Sequence, residues 1–259
     1  MTSEMTVLLP FVFLFGIVVG SFLNVCTYRI PLGDDVVKKQ SHCMSCGYRL
    51  KWYDLIPVFS WIILGGKCRK CKSRISLQYP CIELLNGILW TALFSKFGFR
   101  PVSFWYAGTV SALIVLSVID WRTYEIPFSC NLWIGIMGIG NLVTECIDGG
   151  LLRVPEYLIG AIAVSLFLQL LVILSKGRAM GGGDVKLMAA AGLLLGWKGI
   201  LWAFILGNVT GAIVHPFFIK WKNKEHVLAF GPYLSFGIWV SIMWGRELTQ
   251  WYAGYLMGY

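Results

Sequence analysis

Two aspartates set in lipid-like sequence, Asp120 and Asp184, have the residue type and setting that chemistry needs. Asp120 ends an apolar run in Val118-Ile119-Asp120-Trp121-Arg122, and Asp184 opens another directly after Gly181-Gly182-Gly183. A charged carboxylate at the centre of a bilayer costs at least about 2.5–3.5 kcal/mol, so such residues face a bundle interior or a wet cavity and usually mark function. Two carboxylates at short range cannot both ionise easily, so they share a proton and titrate as a pair. One can then take a proton from water while the other donates to a scissile carbonyl or a leaving amine, the chemistry of aspartic peptide hydrolysis. Each acid also has a plainer reading. Asp184 suits a helix cap favoured by the macrodipole, and Asp120 can pair with Arg122 at the membrane boundary. Taken together with the glycines, the plainer readings lose ground. Three glycines at a helix start are costly in entropy, and they make sense where a backbone must approach another chain.

Gly181, Gly182, Gly183 and Lys186 are therefore candidate substrate-approach or supporting residues beside the two catalytic acids, and Glu83 is a further candidate. Glu83 follows Tyr79-Pro80 early in an apolar run and leaves three readings open: a third acid of the site, a partner for the basic loop before it, or a first-turn residue complementing a helix dipole. The three histidines (His42, His215, His226) suggest no Ser-His-Asp arrangement.

A second chemistry lies in the cysteines. Cys43-Met44-Ser45-Cys46 and Cys68-Arg69-Lys70-Cys71 give C-x2-C, a gap of 21 residues, and C-x2-C. Two such pairs offer four thiolates in a tetrahedron, the donor set of structural zinc with no open position for water activation. Basic neighbours such as Lys67, Arg69, Lys70 and Lys72 offset the charge of that centre. A reducing cytoplasm keeps the thiols available for metal rather than for disulfides. Cys26, Cys81, Cys130 and Cys146 read as packing residues in apolar helices.

The elements that must hold these residues follow from composition. The chain has 259 residues, 57% apolar and 14% charged, against about 45–50% and about 25% in ordinary globular domains. This composition excludes disorder and points to an all-α polytopic membrane protein of about eight transmembrane helices, each of about 20 residues, with a small cytoplasmic zinc-binding module. The apolar runs place helices over 8–25, 80–97, 102–119, 127–146, 156–175, 185–196, 198–219 and 230–246, and the sequence carries no internal repeat. The first run lacks the basic leading region of a signal peptide and reads as a retained helix. The division is then 1–29 as the first transmembrane helix, 30–75 as the four-cysteine zinc module and 76–259 as the catalytic bundle. The module's own apolar cluster (Trp52, Ile56, Phe59, Trp61 and Ile62) suggests a compact unit lying partly at the membrane surface.

The net charge of +9 reads as topology rather than as nucleic-acid binding, because basic residues mark the cytoplasmic side of membrane proteins. Ten of the 22 Lys and Arg lie between residues 29 and 75, and Arg122, Lys176, Arg178, Lys186, Lys220, Lys222 and Lys224 fall on the same side when the helices alternate. Only Lys96, Arg100, Arg153, Lys198 and Arg246 fall opposite. The N-terminus is then outside and the zinc loop cytoplasmic.

With these motifs assembled, the chain resembles the bacterial type IV prepilin peptidases (prepilin leader peptidase/N-methyltransferases), which are G-x-G-D intramembrane aspartic proteases. Gly20-Ser21-Phe22-Leu23-Asn24-Val25-Cys26 with Tyr28-Arg29 and Pro31 resembles the family's first-helix signature. The paired cysteines resemble its zinc loop, followed by Ile75-Ser76, Tyr79-Pro80 and Glu83. Asp120 with Ile126-Pro127 resembles the first aspartate motif, residues 180–187 the second, and Phe230-Gly231-Pro232 a late motif. One departure is Phe128, which stands where many members carry Asp or Asn after Ile-Pro.

The resemblance implies an endopeptidase of the bacterial inner membrane. It would remove the short leader of prepilins or pseudopilins at the cytoplasmic boundary of type IV pilus or type II secretion systems. It also implies N-methylation of the new terminus with S-adenosylmethionine, although no Rossmann-type glycine fingerprint is visible. Membrane lipid is the other expected partner, and no oligomeric state is implied. The rival from another class is a polytopic ion-coupled transporter with Asp120 and Asp184 as ion or proton ligands, since glycine-broken helices are common there.

Overall fold

The computed structural model describes residues 3–149, 151–177, 180–222 and 229–257, and the described residues are helical with no named strand. Arg178, Lys224 and His226 lie outside them. The helices are α1 (Ser3–Arg29), α2 (Phe59–Ile63), α3 (Gln78–Phe97), α4 (Pro101–Thr123), α5 (Phe128–Gly149), α6 (Val154–Leu174), α7 (Gly182–Lys222) and α8 (Gly231–Met257). Five of them, α1, α4, α5, α6 and α7, are long and apolar enough to cross a membrane. The expected break near residue 197 exists within α7. Gly196 adopts φ 70° and ψ 175°, so two helical stretches meet at a kink. Glycine tolerates that positive φ without a Cβ clash.

The chain divides into two compact units, Met1–Phe99 and Arg100–Tyr259. In the first, α1 and α3 pack antiparallel in a fixed register. The amide of Asn86 donates to Gly16 O at 2.7 Å and that of Asn24 to Tyr79 O at 3.1 Å. A Cβ on Gly20 would lie 2.7 Å from Glu83 Cα, and one on Gly16 would lie 2.9 Å from Gly87 Cα. Small residues let the two backbones approach as closely as membrane helix pairs require.

In the second unit, α4 to α8 surround a core that includes Leu116, Ile119, Ile134, Leu187, Leu194 and Leu234. Gly160 of α6 meets α7 so closely that an added Cβ would sit 2.6 Å from Gly192 O. The side chain of Asn141 donates to Leu194 O at 3.0 Å, binding a carbonyl just before the kink. That bond matters because an unpaired polar backbone group in an apolar interior is costly. The unit thus delivers the last turn of α4, the first turn of α7 and the first residue of α8 to one place.

Candidate active site

Asp120 lies in the last turn of α4, which Tyr124 closes in a left-handed conformation with its N–H donating to Asp120 O at 2.8 Å. The helix therefore runs on to Thr123 rather than ending at Asp120. The carboxyl is buried, with 4% exposure for the residue. Its Oδ2 accepts the N–H of Gly231 at 2.8 Å. A Cβ at position 231 would also stand 2.8 Å from that oxygen, so only glycine brings the amide there. The sequence showed Phe230-Gly231-Pro232 as a motif but not this role, because a backbone donor leaves no side-chain signature.

Asp184 is the third residue of α7 and is 8% exposed. Its N–H donates to Gly181 O at 3.2 Å, and its carboxylate accepts the amide of Gly181 in return. The reading of Asp184 as a helix-start residue is thus correct in part: its carboxylate reaches back to the Gly181 amide as the acidic half of a capping box does. The carboxylate also feels the charge of Asp120, its largest ionic interaction. The structure therefore brings the two sequence-selected acids into one buried locus, each held by one backbone N–H.

The glycines divide the work. A Cβ on Gly183 would lie 2.9 Å from Ile126 Cβ, so its lack of side chain lets the α4–α5 loop press against the start of α7. Gly182 has open space where a Cβ would stand, and a Cβ on Gly181 would sit 3.6 Å from Asp184 Oδ2. Gly181 and Gly182 are exposed beside a buried acid, which leaves room for a peptide. Asn131, unmarked in the sequence reading, reaches from α5 to donate to Gly183 O at 3.2 Å, while its own buried Oδ1 has no partner among the described residues. A lone amide in the first turn of an apolar helix was the available signal. Lys186 points outward, with its Nζ 5.5 Å from the ring centroid of Phe128. The departure at Phe128 is therefore met by a cation–π contact.

Glu83 belongs to the other unit. It sits on α3 beyond the first turn, so it does not serve the dipole of that turn. Its Oε2 accepts the N–H of Val58 at 2.7 Å, and the Ser21 side chain bonds it as well.

The four cysteines gather as expected. Sγ atoms of Cys43, Cys46, Cys68 and Cys71 all lie within 4.8 Å of one another, and Cys43 and Cys71 are 3.8 Å apart. Tetrahedral bonds of about 2.3 Å to zinc place sulfurs about 3.8 Å apart, so this donor set fits a metal ion. Both C-x2-C turns are built alike. The N–H of Cys43 donates to Tyr48 O and that of Cys68 to Ser73 O, at 2.9 and 2.8 Å. Gly47 and Lys72 hold equivalent positive φ of 67° and 60°. The thiols share protons unequally. Burial alone would raise Cys43, yet the amides of Ser45 and Cys46 and the Ser73 hydroxyl draw it down to about 6. In Cys46 the helping Tyr48 amide is outweighed by burial and the neighbouring thiols, which push it up to about 11. A bound cation displaces such protons. Of the remaining cysteines, Cys26 and Cys130 are buried as packing residues should be, but Cys81 is exposed.

Comparison with known proteins gives the chain a family. The model of the bacterial peptidase A24 N-terminal domain matches residues 14–97, and that of the type IV leader peptidase family matches residues 107–215. Among curated proteins, a prepilin leader peptidase/N-methyltransferase of Xanthomonas campestris is 34% identical over 92% of this chain and 91% of its own. Proteins of the same name from Aeromonas hydrophila and Pseudomonas aeruginosa are 31% and 29% identical, over 93% and 92% of this chain and 92% and 91% of theirs. No solved structure matches. These relatives are peptidases, and the ion-coupled transporter finds no support among them. With Asp120 inside the residues of one matched model and the paired cysteines inside the other, the chain belongs to the type IV leader peptidase family.

Proposed function

We propose that this chain is a multi-pass aspartic endopeptidase of the bacterial cytoplasmic membrane that removes the leader of type IV prepilin-like proteins. The reading rests above all on one observation: two buried carboxylates, distant in sequence, stand at the end of α4 and the start of α7, where the loop after α4 packs against Gly183. In this reading the substrate's apolar helix lies beside the bundle, and its scissile peptide enters along the open edge at Gly181 and Gly182. Asp120 and Asp184 hold one proton between them. The ionised carboxylate takes a proton from water as the oxygen adds to the carbonyl, and the protonated partner gives its proton to the leaving amine. Water is consumed, and one acid and one amine result. The Gly231 and Gly181 amides keep both carboxyls aimed through main-chain N–H groups rather than through a cationic side chain.

The basic residues of the 29–75 segment support placing that segment in the cytoplasm and the N-terminus outside. The cysteine cluster is assigned structural zinc, held by Cys43, Cys46, Cys68 and Cys71, which would fold the module rather than take part in hydrolysis. N-methylation of the new terminus from S-adenosylmethionine is proposed on the relatives' shared name. Without strands among the described residues, a Rossmann-type glycine turn has no scaffold there.

The test is direct. Purified Asp120→Asn and Asp184→Asn variants, inserted and helical as the parent, are incubated with a leader-bearing prepilin. Each is expected to yield no shortened product, and full processing by either overturns the two-acid mechanism.

A further inference from the structure

Residues 55–64 form an apolar run too short to cross a membrane. Runs of this length are re-entrant, interfacial or buried. We infer that this segment is a re-entrant element seated in the lipid leaflet, with Phe59, Ile62 and Ile63 against acyl chains. Four observations within the first unit carry the inference.

The first is the pattern of α2. Phe59, Ile62 and Ile63 share one helical face by their spacing and are 56%, 61% and 79% exposed. Trp61 faces the other way, packs on Gly66 and donates its indole N–H to Ile75 O at 3.2 Å. The apolar face thus has no cover within its unit among the described residues, while the polar bond is turned inward.

The second is depth. Val58, the residue before α2, donates its N–H to Glu83 at 2.7 Å. Glu83 lies five residues into α3, about 7.5 Å along its axis at 1.5 Å per residue. It is also level with Gly20, whose position lies well inside the span Val7–Leu32. A segment anchored there starts below the headgroups.

Third, the backbone is provided for. Beyond the Val58 bond, the N–H groups of Ser60, Ile62, Leu64 and Gly66 donate to Ile56 O, Val58 O, Ser60 O and Trp61 O. Irregular backbone survives at membrane depth only when so satisfied. The cost is visible at Val58, a β-branched residue at φ 62° and ψ −55° in a tight turn whose Phe59 N–H reaches Pro57 O. Such a turn is rare and strained, and the Glu83 carboxylate holds it.

The fourth is charge. Lys51 precedes the segment, and Lys67, Arg69, Lys70 and Lys72 follow it. The adjoining Asp54 is neutralised by Arg69 at 2.7 Å. An apolar face rimmed by cations fits a leaflet of anionic lipid.

The test uses the full chain in vesicles of phosphatidylethanolamine and phosphatidylglycerol. An environment-sensitive fluorescent amino acid is encoded at position 63, or at position 38 as an aqueous control. The inference expects severalfold stronger quenching of the probe at 63 by brominated acyl chains than of the probe at 38, with the reverse for iodide in water. Iodide quenching at 63 overturns it, and so does protection from both quenchers, which would mean that protein covers the face. Glu83→Ala is expected to shift the probe at 63 toward iodide, whereas Glu83→Gln, which keeps an acceptor for Val58, preserves the lipid signal. Should Glu83→Ala fail to fold, the parent and Glu83→Gln still decide.

Discussion

Gly231 places a peptide N–H on Asp120 at a distance that no side chain at 231 would allow. Gly231→Ala should push the carboxylate aside, lowering kcat for leader cleavage at least tenfold, about 1.4 kcal/mol at the barrier, with helix content unchanged by circular dichroism. Asn131→Ala frees the carbonyl that precedes Asp184. The loss of one ordinary hydrogen bond, about 1 kcal/mol, should lower kcat roughly fivefold and leave KM near the parent value. The two acids and the four thiols were legible in the sequence because charge in lipid and C-x2-C spacing are both improbable without cause. The donors to the acids were not, since a peptide group carries no residue identity. Glu83 was visible as an anomaly only. Its partner, the Val58 amide, depends on a turn conformation that a β-branched residue does not announce.

At the scale of elements, the breaks in hydropathy marked the helices well. The split of the long α7 was readable from the polar Gly196-Trp197-Lys198 interruption, although the helix continues on both sides of a kink at Gly196. What the pattern missed is that α4 extends beyond Asp120, because Trp121-Arg122-Thr123 looks like a boundary rather than another turn. Which glycines lie at contacts was equally hidden, since closeness belongs to pairs of helices. Gly160→Leu tests this point. Its side chain has no room against Gly192 O, and overpacking of this kind costs about 1–3 kcal/mol. A lowered midpoint in detergent-induced unfolding is the expected outcome, alongside proper membrane insertion.

For the whole molecule, the sequence conveyed an α-helical membrane protein with one four-cysteine module, and the described residues are helical with those four thiols gathered as a metal ion would need. Removal of metal should act on the module alone. Incubation with a strong chelator is expected to open residues 42–74 to added protease, while the unit that begins at Arg100 keeps its resistance, read by mass spectrometry of the fragments.

The pairing of α1 with α3 has a consequence for how such chains can change. Asn24 with Tyr79, Gly20 with Glu83, and Gly16 with Gly87 all match across the intervening segment, so residues gained or lost between them leave every match in place. Closing a longer loop costs only about 0.6 kcal/mol per doubling. The segment between α1 and α3 is thus free to grow, shrink or be exchanged during descent, provided that whatever replaces it still presents one main-chain donor to the carboxylate waiting on α3.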